Sequence, residues 1–521
     1  DILKWETMTR IEGFKYPNNY IPFNQFYALP LTMGQLGSGD GFQPFNSVKD
    51  HEDWLKRARA FGPWADSAIV YFRKGMAAGI VLPKALVIKM IPQMQALVTE
   101  QPEKSLFYTP ATRLEKVTSD TAMIARLKNA YVQVIKESLV PSYKKLAEFL
   151  KNDYLPGART SSGIGALPGG ADWYAYLVRD QTTTSKSPEE IYQTGLREVA
   201  RIRGIMDSVR LSVEKEAQGN IPPSQQTLNN GPSAGTPVAP QAVGFKGDLA
   251  AFFEYMRTDK RFMPYKTPKE VLDAFEHIHQ KMQPQLATMF HHVPRTGFEI
   301  RQTEAFRAAS ASAEYIQGSG DGKRPGVFYV PILDATTFNT TSGMESLFLH
   351  EAIPGHHYQI SLQQEDSLLP AFRRFGGNNA YVEGWALYCE SLGKELGLYT
   401  DPYQYMGALG DEIHRAIRLV VDVAIHTKGM TREEAIKYMM DNEAISLEGA
   451  TAEIERYMAI PGQALGYKIG ALKIRELRNK YEAELKDKFH LADFHDEILK
   501  DGAMPLEVLE KKMDAWAAHV K

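Results

Sequence analysis

The sequence predicts a mainly α-helical protein with a small β-sheet. Three observations lead to this prediction: repeated helix-start signals, long stretches with apolar residues at helical spacing, and few strand signals. The chain has 521 residues, of which 44% are apolar and 24% are charged, as is typical of globular proteins. This length is enough for several domains or for one large helical body.

The helix-start signals are capping boxes, in which Ser or Thr precedes Glu by three residues. Behind them, apolar residues recur at helical spacing, and in the first two a proline occupies the first helical position. The capping pairs are Ser187 with Glu190, Thr267 with Glu270, and Thr431 with Glu434. Further helical patterns cover 52–80, 120–152, 403–428 and 462–520.

Strand signals are confined to two stretches, "TGFEIRQT" at 296–303 and "PGVFYVPIL" at 325–333. A segment rich in Pro, Gly, Ser and Asn precedes them and is typical of a linker. We therefore expect an N-terminal helical region at 1–217, a loop or linker at 218–246 and a metal-bearing catalytic region at 247–521. The boundaries are soft, and one continuous body remains open.

The charge and cysteine content exclude several classes of function. A net charge of −3 argues against a nucleic-acid partner, and no window approaches eighteen uncharged apolar residues, so no transmembrane segment is expected. With Cys389 as the one cysteine, any metal must be held by His and carboxylate groups. The chain starts without Met, so we expect a mature or trimmed form whose missing start could have carried a targeting segment. Nothing indicates an oligomeric state.

A candidate metal motif, "LFLHEAIPGHHYQ", spans 347–359. Zinc peptidases often carry H-E-x-x-H on one helix, but the residue four after His350 is Pro354. A regular helix would place a residue seven positions later about 10.5 Å along the axis, too far to share an ion. A bulge of two extra residues at the Pro–Gly pair would bring His356 to the required position, whereas His357 would need three. We predict His350 and His356 as ligands, with His357 as the alternative.

The third ligand must come from another element, because one helix face cannot surround an ion. Glu383 in "YVEGWALYCE", 381–390, is the best candidate, and Glu390 on the same helix face is the alternative or a partner that orients a ligand histidine. Catalytic Zn²⁺ takes three such ligands and leaves one position open. Glu351, next to His350, is predicted to be the general base.

Three motifs together resemble a bacterial family known as domain of unknown function 885. They are "HEAIPGHH", "YVEGWALYCE" and "ERYMAIPGQALGYKIG" at 455–470, and the resemblance runs from "GFKYPNNYIPFNQF" to 470 and beyond. Family members are often labelled predicted lipoproteins and are grouped with the gluzincin metallopeptidases, which hold zinc with two His and one Glu. The two-residue insertion before "PGH" departs from the gluzincin H-E-x-G-H pattern and leaves the second histidine open.

The resemblance implies a gluzincin-like, largely helical fold with a deep groove between helical halves. It implies a third ligand in an E-G dipeptide, which matches Glu383–Gly384. It also implies an extracytoplasmic location, in the periplasm or anchored to the envelope by lipid, while a cytoplasmic location remains open. By resemblance to zincins, the strand residues Gly326, Phe328 and Tyr329 are expected to form an exposed edge along which a peptide substrate lies.

Further residues are candidates for contacts with the substrate. Tyr467 resembles the tyrosine that gluzincin peptidases direct toward the oxyanion, although it could be a packed aromatic. Arg456 could hold a substrate carboxylate, or form an ion pair with a neighbouring glutamate. Asp422 and His426 lie four residues apart on one helix, as a structural pair or as a catalytic donor with its orienting group.

These predictions together indicate a zinc-dependent peptidase that hydrolyses short peptides with the help of Glu351. A metal-dependent amidase acting on a non-peptide substrate is the first alternative. A non-catalytic binding protein with a structural metal is the second, and it predicts that Glu351→Gln leaves the function intact.

Overall fold

The computed structural model of the protein describes residues 1–39, 43–217, 247–303, 312–320 and 322–521. Within these ranges helices dominate and the sheet is small, which confirms the predicted composition of the fold. The predicted linker at 218–246 lies outside the described residues.

The amino-terminal part consists of helices joined by short turns. The α-helices are α1 Ile2–Gly13, α2 Leu29–Gly37, α3 Val48–Ala78, α4 Lys84–Gln95, α5 Thr121–Val134, α6 Val140–Phe149, α7 Leu155–Gly157, α8 Gly170–Thr182 and α9 Pro188–Ala217. The 3-10 helices are Asn18–Tyr20, Pro102–Lys104, Leu106–Lys116 and Ile164–Ala166. Two π-helical turns, Ile135–Leu139 and Leu150–Tyr154, join α5, α6 and α7. The pattern predicted over 120–152 is therefore one helical rod with two wide turns.

The carboxy-terminal part carries the sheet and the remaining helices. The α-helices are α10 Leu249–Thr258, α11 Pro268–Met289, α12 Met344–Glu351, α13 His356–Glu365, α14 Ala371–Arg374, α15 Asn379–Glu390, α16 Pro402–Thr427, α17 Arg432–Asn442, α18 Leu447–Ala459, α19 Leu465–Leu485, α20 Leu491–Leu499 and α21 Leu506–Val520. The 3-10 helices are Lys260–Phe262, Ala335–Thr337 and Lys486–Lys488. The pattern predicted over 462–520 divides into α19, α20 and α21, and the chain turns after α19 at Lys486 with φ of 51°.

The predicted capping boxes are confirmed. In α11 and α17 the side chains of Thr267 and Thr431 accept a hydrogen bond from the third helical residue, whose glutamate reaches back to the cap. At the start of α9, Ser187 N–H donates to Glu190 Oε2 (2.8 Å), and Glu190 N–H donates to Ser187 Oγ (3.3 Å). Each box satisfies backbone donors that would otherwise lack partners at the helix start.

The sheet has three strands in the order β1-β3-β2, namely β1 Phe298–Gln302, β2 Glu314–Ile316 and β3 Gly326–Val330. β1 runs parallel to β3 and β2 runs antiparallel to it. The two predicted strands are confirmed as β1 and β3. β2 escaped prediction because three residues are too few to show an alternating pattern.

Two hydrophobic clusters form the core, and α16 contributes to both. The first cluster packs α3 to α6 with α16 to α18, and the second packs the sheet, α8, α11, α12, α15 and α19 to α21. Within α16, Ile417 and Val420 belong to the first cluster, whereas Leu419 and Val423 belong to the second. Each such side chain stabilises the fold by roughly 1.5–3 kcal/mol. Both clusters join residues from before and after the predicted linker.

Candidate metal centre

The predicted metal motif lies on two helices. α12 ends at Glu351, the backbone leaves helical geometry at Ala352 (φ −105°, ψ −101°), and α13 begins at His356. The expectation of a bulge within one continuous helix is therefore wrong. The physical reason is Pro354, which has no N–H to donate and whose ring would clash with the carbonyl four residues earlier if the helix continued.

Gly355 allows α13 to turn back against the end of α12. A Cβ atom at this position would lie 2.0 Å from the carbonyl oxygen of His350 and 2.3 Å from that of Leu349, so a larger residue would push the two helices apart. The indole N–H of Trp385 donates to the carbonyl of Pro354 (2.8 Å) and ties the connection to α15. The close approach of Gly355 to α12 and the hydrogen bond from Trp385 thus both fix the connection between α12 and α13.

This break places the imidazole rings of His350 and His356 side by side. Their centroids are 4.7 Å apart and their planes meet at 87°. The two histidines are six residues apart in sequence, and the break between the helices brings their rings into contact.

Glu383 on α15 meets both histidines. Its Oε2 lies 3.6 Å from Nε2 of His350 and 3.5 Å from Nε2 of His356. Both distances are too long for good hydrogen bonds and lie near the ~3.3 Å that separates ligand atoms around a tetrahedral zinc ion with bonds of about 2.0 Å. Within the described ranges, these three residues form the one group of three or more His, Cys, Asp or Glu side chains that could share an ion.

Glycines allow α19 to pack closely on α15 beside this cluster. A Cβ on Gly384 would lie 2.5 Å from the Cα of Gly470, and a Cβ on Gly470 would lie 1.9 Å from the carbonyl oxygen of Ala380. The helices therefore approach backbone to backbone. This contact brings the start of α19, which carries Tyr467, next to Glu383.

Glu390 orients the first histidine. Nδ1 of His350 lies 2.7 Å from Glu390 Oε1, and both side chains are almost fully buried. In the neutral imidazole, the carboxylate accepts the Nδ1 proton, so Nε2 is the nitrogen that can bind a cation. Nδ1 of His356 is buried and lacks a hydrogen-bond partner among the described residues, so the two histidines differ in their support.

The charges within the cluster stabilise one another. Burial disfavours a charged His350, but the neighbouring carboxylates of Glu383 and Glu390 outweigh it and raise the pKa of this imidazole to about 10. Burial also acts to raise the pKa of Glu383, yet the two histidines outweigh it and hold that pKa well below its usual range. A divalent cation would take the place of the proton in such a group.

His357, the alternative ligand, points elsewhere. It is buried, and its Nδ1 lies 2.9 Å from the hydroxyl of Tyr315 on β2. Burial lowers its pKa to about 4. His357 therefore connects α13 to the sheet, while His356 turns toward Glu383.

Glu351 is half-buried at the last position of α12. Its negative charge contributes to the raised pKa of His350, which places its carboxylate near that ring. A carboxylate next to a ligand histidine, and outside the ligand set, is suited to proton transfer at the site.

Tyr467 and Arg456 lie together on the Glu383 side of the cluster. Burial and the charge of Glu383 raise the pKa of Tyr467, whereas Arg418 and a hydrogen bond from Arg456 act in the opposite direction. Arg456 also donates to Gln463 Oε1 (2.7 Å) and lies 3.5 Å from Glu453 Oε1. The ion pair expected as the alternative for Arg456 is thus present, in addition to its contact with Tyr467.

The predicted substrate-binding strand requires correction. β3 is paired with β1 on one side and β2 on the other, so it has no free edge. Phe328 is fully buried and packs edge-on against Phe275, Gly326 is covered by the ring of Tyr315, and Tyr329 pairs with β1 and β2 residues. The prediction failed because β2, which could not be recognised in the sequence, covers the edge in question.

His426 also requires correction. It is 1% exposed, its Nδ1 accepts a hydrogen bond from Ile164 N–H (2.9 Å), and its Nε2–H donates to the carbonyl of Tyr457 (3.1 Å). Burial lowers its pKa to about 3. Since both ring nitrogens bind backbone groups, none remains for a substrate, and His426 joins α16 to the elements packed on it.

Asp422 does not orient His426. Its Oδ1 accepts hydrogen bonds from the hydroxyl of Tyr174 (2.6 Å) and from Gly462 N–H (3.0 Å). Burial raises its pKa to about 7, an effect that these bonds oppose. Asp422 and His426 share a helix face, but their hydrogen-bond partners are different residues.

Sequence reasoning named Asp422 but missed the polar stripe that it forms on α16 with Asp411, Arg415 and Arg418. Nη2 of Arg415 lies 4.0 Å from Glu390 Oε1, and Nη1 lies 3.5 Å from Asp411 Oδ1. The guanidinium carbon of Arg418 lies 4.8 Å from the centre of the Tyr467 ring. The available signal was the spacing of four, three and four residues, which keeps charged groups on one face of a buried helix.

The fold and the site define a mainly helical protein with a buried His₂Glu cluster at a helix break. The chain belongs to the family described as bacterial protein of unknown function (DUF885), whose model matches residues 1–513. A structure described as "the putative lipoprotein from Colwellia psychrerythraea" is 31% identical, with a TM-score of 0.83, over 95% of this chain and 80% of that one. A second one, a "putative lipoprotein of unknown function from Shewanella oneidensis", is 19% identical, with a TM-score of 0.63, over 94% of this chain and 82% of that one.

The other comparisons add little. The carboxypeptidase of Pyrococcus furiosus aligns over 91% of this chain and 98% of its own, but 10% identity and a TM-score of 0.28 do not indicate a shared fold. No curated protein matches this chain. None of the helices that the structure describes is long and apolar enough to cross a membrane.

Proposed function

We propose that this protein is a zinc-dependent peptidase that hydrolyses short peptides. The observation that carries the proposal is the convergence of His350 Nε2 and His356 Nε2 on one oxygen of Glu383, at 3.6 and 3.5 Å. Two imidazoles and one carboxylate are a ligand set of catalytic zinc sites, in which a fourth position stays open. Softer thiolate ligands are lacking, since the one cysteine, Cys389, is buried and lies outside the cluster.

The protein side chains divide the chemistry among them. His350, His356 and Glu383 would hold the zinc ion, which would supply a Lewis acid for the scissile carbonyl and for a water molecule. Glu351 accepts a proton from the attacking water and delivers it to the leaving amine. Tyr467 donates a hydrogen bond to the carbonyl oxygen as negative charge develops on it. Glu390 holds His350 in the orientation that the site requires.

The burial of the cluster supports a preference for short substrates. The side chains of His356 and Glu383 are 12% and 21% exposed, so a folded protein surface would not reach them. We also propose an extracytoplasmic location, in the periplasm or at the envelope, because both similar structures are described as lipoproteins.

The decisive experiment compares wild-type protein with Glu351→Gln and with Glu433→Gln, a change of a glutamate with a 75% exposed side chain. Zinc content is measured by elemental analysis and hydrolysis by digestion of a peptide library. We expect all three proteins to hold one zinc ion. We expect Glu351→Gln to hydrolyse peptides about 10²–10⁴-fold more slowly than the other two, the usual contribution of a general base.

Three results would contradict the proposal. Turnover that persists in a zinc-loaded Glu351→Gln protein would show that this residue is not the base. Purified wild type that binds no zinc, even after incubation with the metal, would remove the basis of the mechanism. Activity on non-peptide amides alone would instead indicate an amidase.

A further inference from the structure

Arg418 is a buried cation with one unused hydrogen-bond donor. It is 6% exposed, its Nε–H donates to the Tyr457 hydroxyl (3.0 Å), and its Nη2–H donates to Glu453 Oε2 (3.1 Å). Nη1 is buried and has no hydrogen-bond partner among the described residues. A buried guanidinium group with an unused N–H is unfavourable unless a ligand or a water molecule accepts from it.

The surroundings of Arg418 carry an excess of positive charge. Arg418 and Arg456 share one carboxylate, that of Glu453, at 3.1 and 3.5 Å. Nε2 of His414 also lies 3.4 Å from Glu453 Oε2, and Nδ1 of His414 lies 2.8 Å from Glu443 Oε2. Asp422 interacts with both arginines from the next turn of α16, and burial raises its pKa to about 7. Two guanidinium groups thus share the carboxylate of Glu453, and the buried Asp422 is a second acidic group near them.

This positive region adjoins the metal centre through Tyr467. The guanidinium carbon of Arg418 lies 4.8 Å from the centre of the Tyr467 ring, and the positive charge of Arg456 also acts to lower the pKa of this tyrosine. The charge of Glu383 also acts on Tyr467. A group bound between the two arginines would therefore lie beside the zinc ligand Glu383, on the side where Tyr467 reaches the reacting carbonyl.

We propose that Arg418 and Arg456, which lie beside Tyr467, form a subsite for the free carboxylate at the carboxyl end of a peptide substrate. This inference rests on the proposed peptidase function and specifies its substrate class. Guanidinium groups bind carboxylates through paired N–H donors, and the unused Nη1 of Arg418 supplies one of them. Water then adds across a peptide bond near this end: its oxygen joins the carbonyl carbon, the C–N bond breaks and the amine leaves with a proton. The protein is therefore a carboxypeptidase, which releases residues from the carboxyl end.

The test measures binding separately from turnover. Zinc-loaded Glu351→Gln protein is titrated calorimetrically with N-acetyl-tetra-alanine and with the same peptide as its carboxyl-terminal amide. We expect the free acid to bind at least about 10-fold more tightly, since the interaction with a charged group is lost in the amide. Adding Arg418→Met to this protein should remove the difference, and Arg418→Lys should restore part of it. Arg432→Met, a change of an arginine that pairs with Glu455, is the matched control and should leave the difference intact.

The outcomes separate this inference from the proposed function. Equal binding of acid and amide would overturn the carboxylate subsite and would indicate that a water molecule satisfies Nη1. If Arg418→Met fails to fold, Arg456→Gln takes its place in the same titration and should also reduce the preference for the acid. The comparison of acid with amide on Glu351→Gln protein alone also tests the subsite. Glu351-dependent cleavage that is equally fast for both peptides would keep the peptidase and reject the subsite. Tighter binding of the acid without any Glu351-dependent cleavage would support the subsite and reject the peptidase.

Discussion

Two histidines of this protein, His350 and His426, have similar settings in the sequence and opposite roles in the structure. Each lies on a helix close to a carboxylate, and they are 4% and 1% exposed. The pKa of His350 is raised to about 10 despite its burial, because Glu383 and Glu390 lie next to it. The pKa of His426 is lowered to about 3, because burial is not offset by any such carboxylate.

The two histidines differ in the groups that lie next to their ring nitrogens. Nδ1 of His350 is held by a carboxylate, and Nε2 faces the space shared with His356 and Glu383. In His426, backbone groups of Ile164 and Tyr457 occupy both nitrogens. A buried histidine can therefore bind a metal only if the fold leaves one of its ring nitrogens free of other hydrogen-bond partners. The residues next to the histidine in sequence do not reveal this.

The largest difference between the two regions is expected when one carboxylate near each histidine, Glu383 or Asp422, is replaced by its amide. Glu383→Gln should abolish stable zinc binding and reduce hydrolysis to the level of protein treated with a chelator, because a ligand is lost. Asp422→Asn, the matched change on α16, should keep zinc binding. Zinc affinity is measured by competition with a chromophoric chelator. Zinc binding that survives Glu383→Gln would show that the His₂Glu cluster is not the metal site.

A second test concerns the two tyrosines near Arg418. Tyr467→Phe should lower kcat by about 10²–10³-fold with zinc content unchanged, as expected when one donor to the developing oxyanion is removed. Tyr457→Phe removes a buried hydroxyl that binds Glu453 and Arg418, and should have a much smaller effect on kcat. Steady-state kinetics on one peptide substrate gives both values. An equal loss in the two variants would indicate a structural role for Tyr467.

The support of His350 can be weakened without removing a ligand. Glu390→Gln should reduce zinc affinity by about 10–100-fold, because the carboxylate that orients the histidine is lost. Glu395→Gln, which alters a partly exposed partner of Arg478, serves as the control. Competition with the same chelator measures the change. An unchanged zinc affinity in Glu390→Gln would mean that the hydrogen bond between Glu390 and His350 does not contribute to metal binding.

The smallest effect on function is expected at His426, where stability should change and activity should not. Since its folded-state pKa of about 3 lies below the ordinary value of about 6.5, the unfolded chain binds more protons between these values. This contribution to stability is complete above pH 6.5 and is lost as the pH falls toward 3. His426→Gln should therefore show a shallower fall in the urea midpoint from pH 6.5 to 4 than wild type.

Zinc content and turnover at pH 7 should be the same in folded His426→Gln and in wild type. His519→Gln, which alters an exposed histidine, should reproduce the pH dependence of wild type. Unchanged slopes in all three proteins would show that the buried His426 does not differ in protonation from the unfolded chain.

Local patterns in the sequence were sufficient for much of the helical framework and for the chemistry of the candidate ligands. The capping boxes at Thr267 and Thr431 mark real helix starts, because capping involves groups only three residues apart. The identities of His350, His356 and Glu383 as candidates followed from the chemistry of residue types and from the geometric limit that a regular helix imposes.

Tertiary contacts decided the remaining features. Helix α12 ends at Glu351 instead of continuing through a bulge. It packs closely against α13 because Gly355 has no side chain that would collide with the end of α12. β2 pairs with β3 across a chain reversal, and backbone groups from distant segments occupy His426. Helix periodicity and ligand chemistry act within a few residues, so the sequence determined them. Strand pairing, the protonation of buried groups and the stacking of Arg418 on Tyr467 depend on residues far apart in the chain, so only the folded structure could decide them.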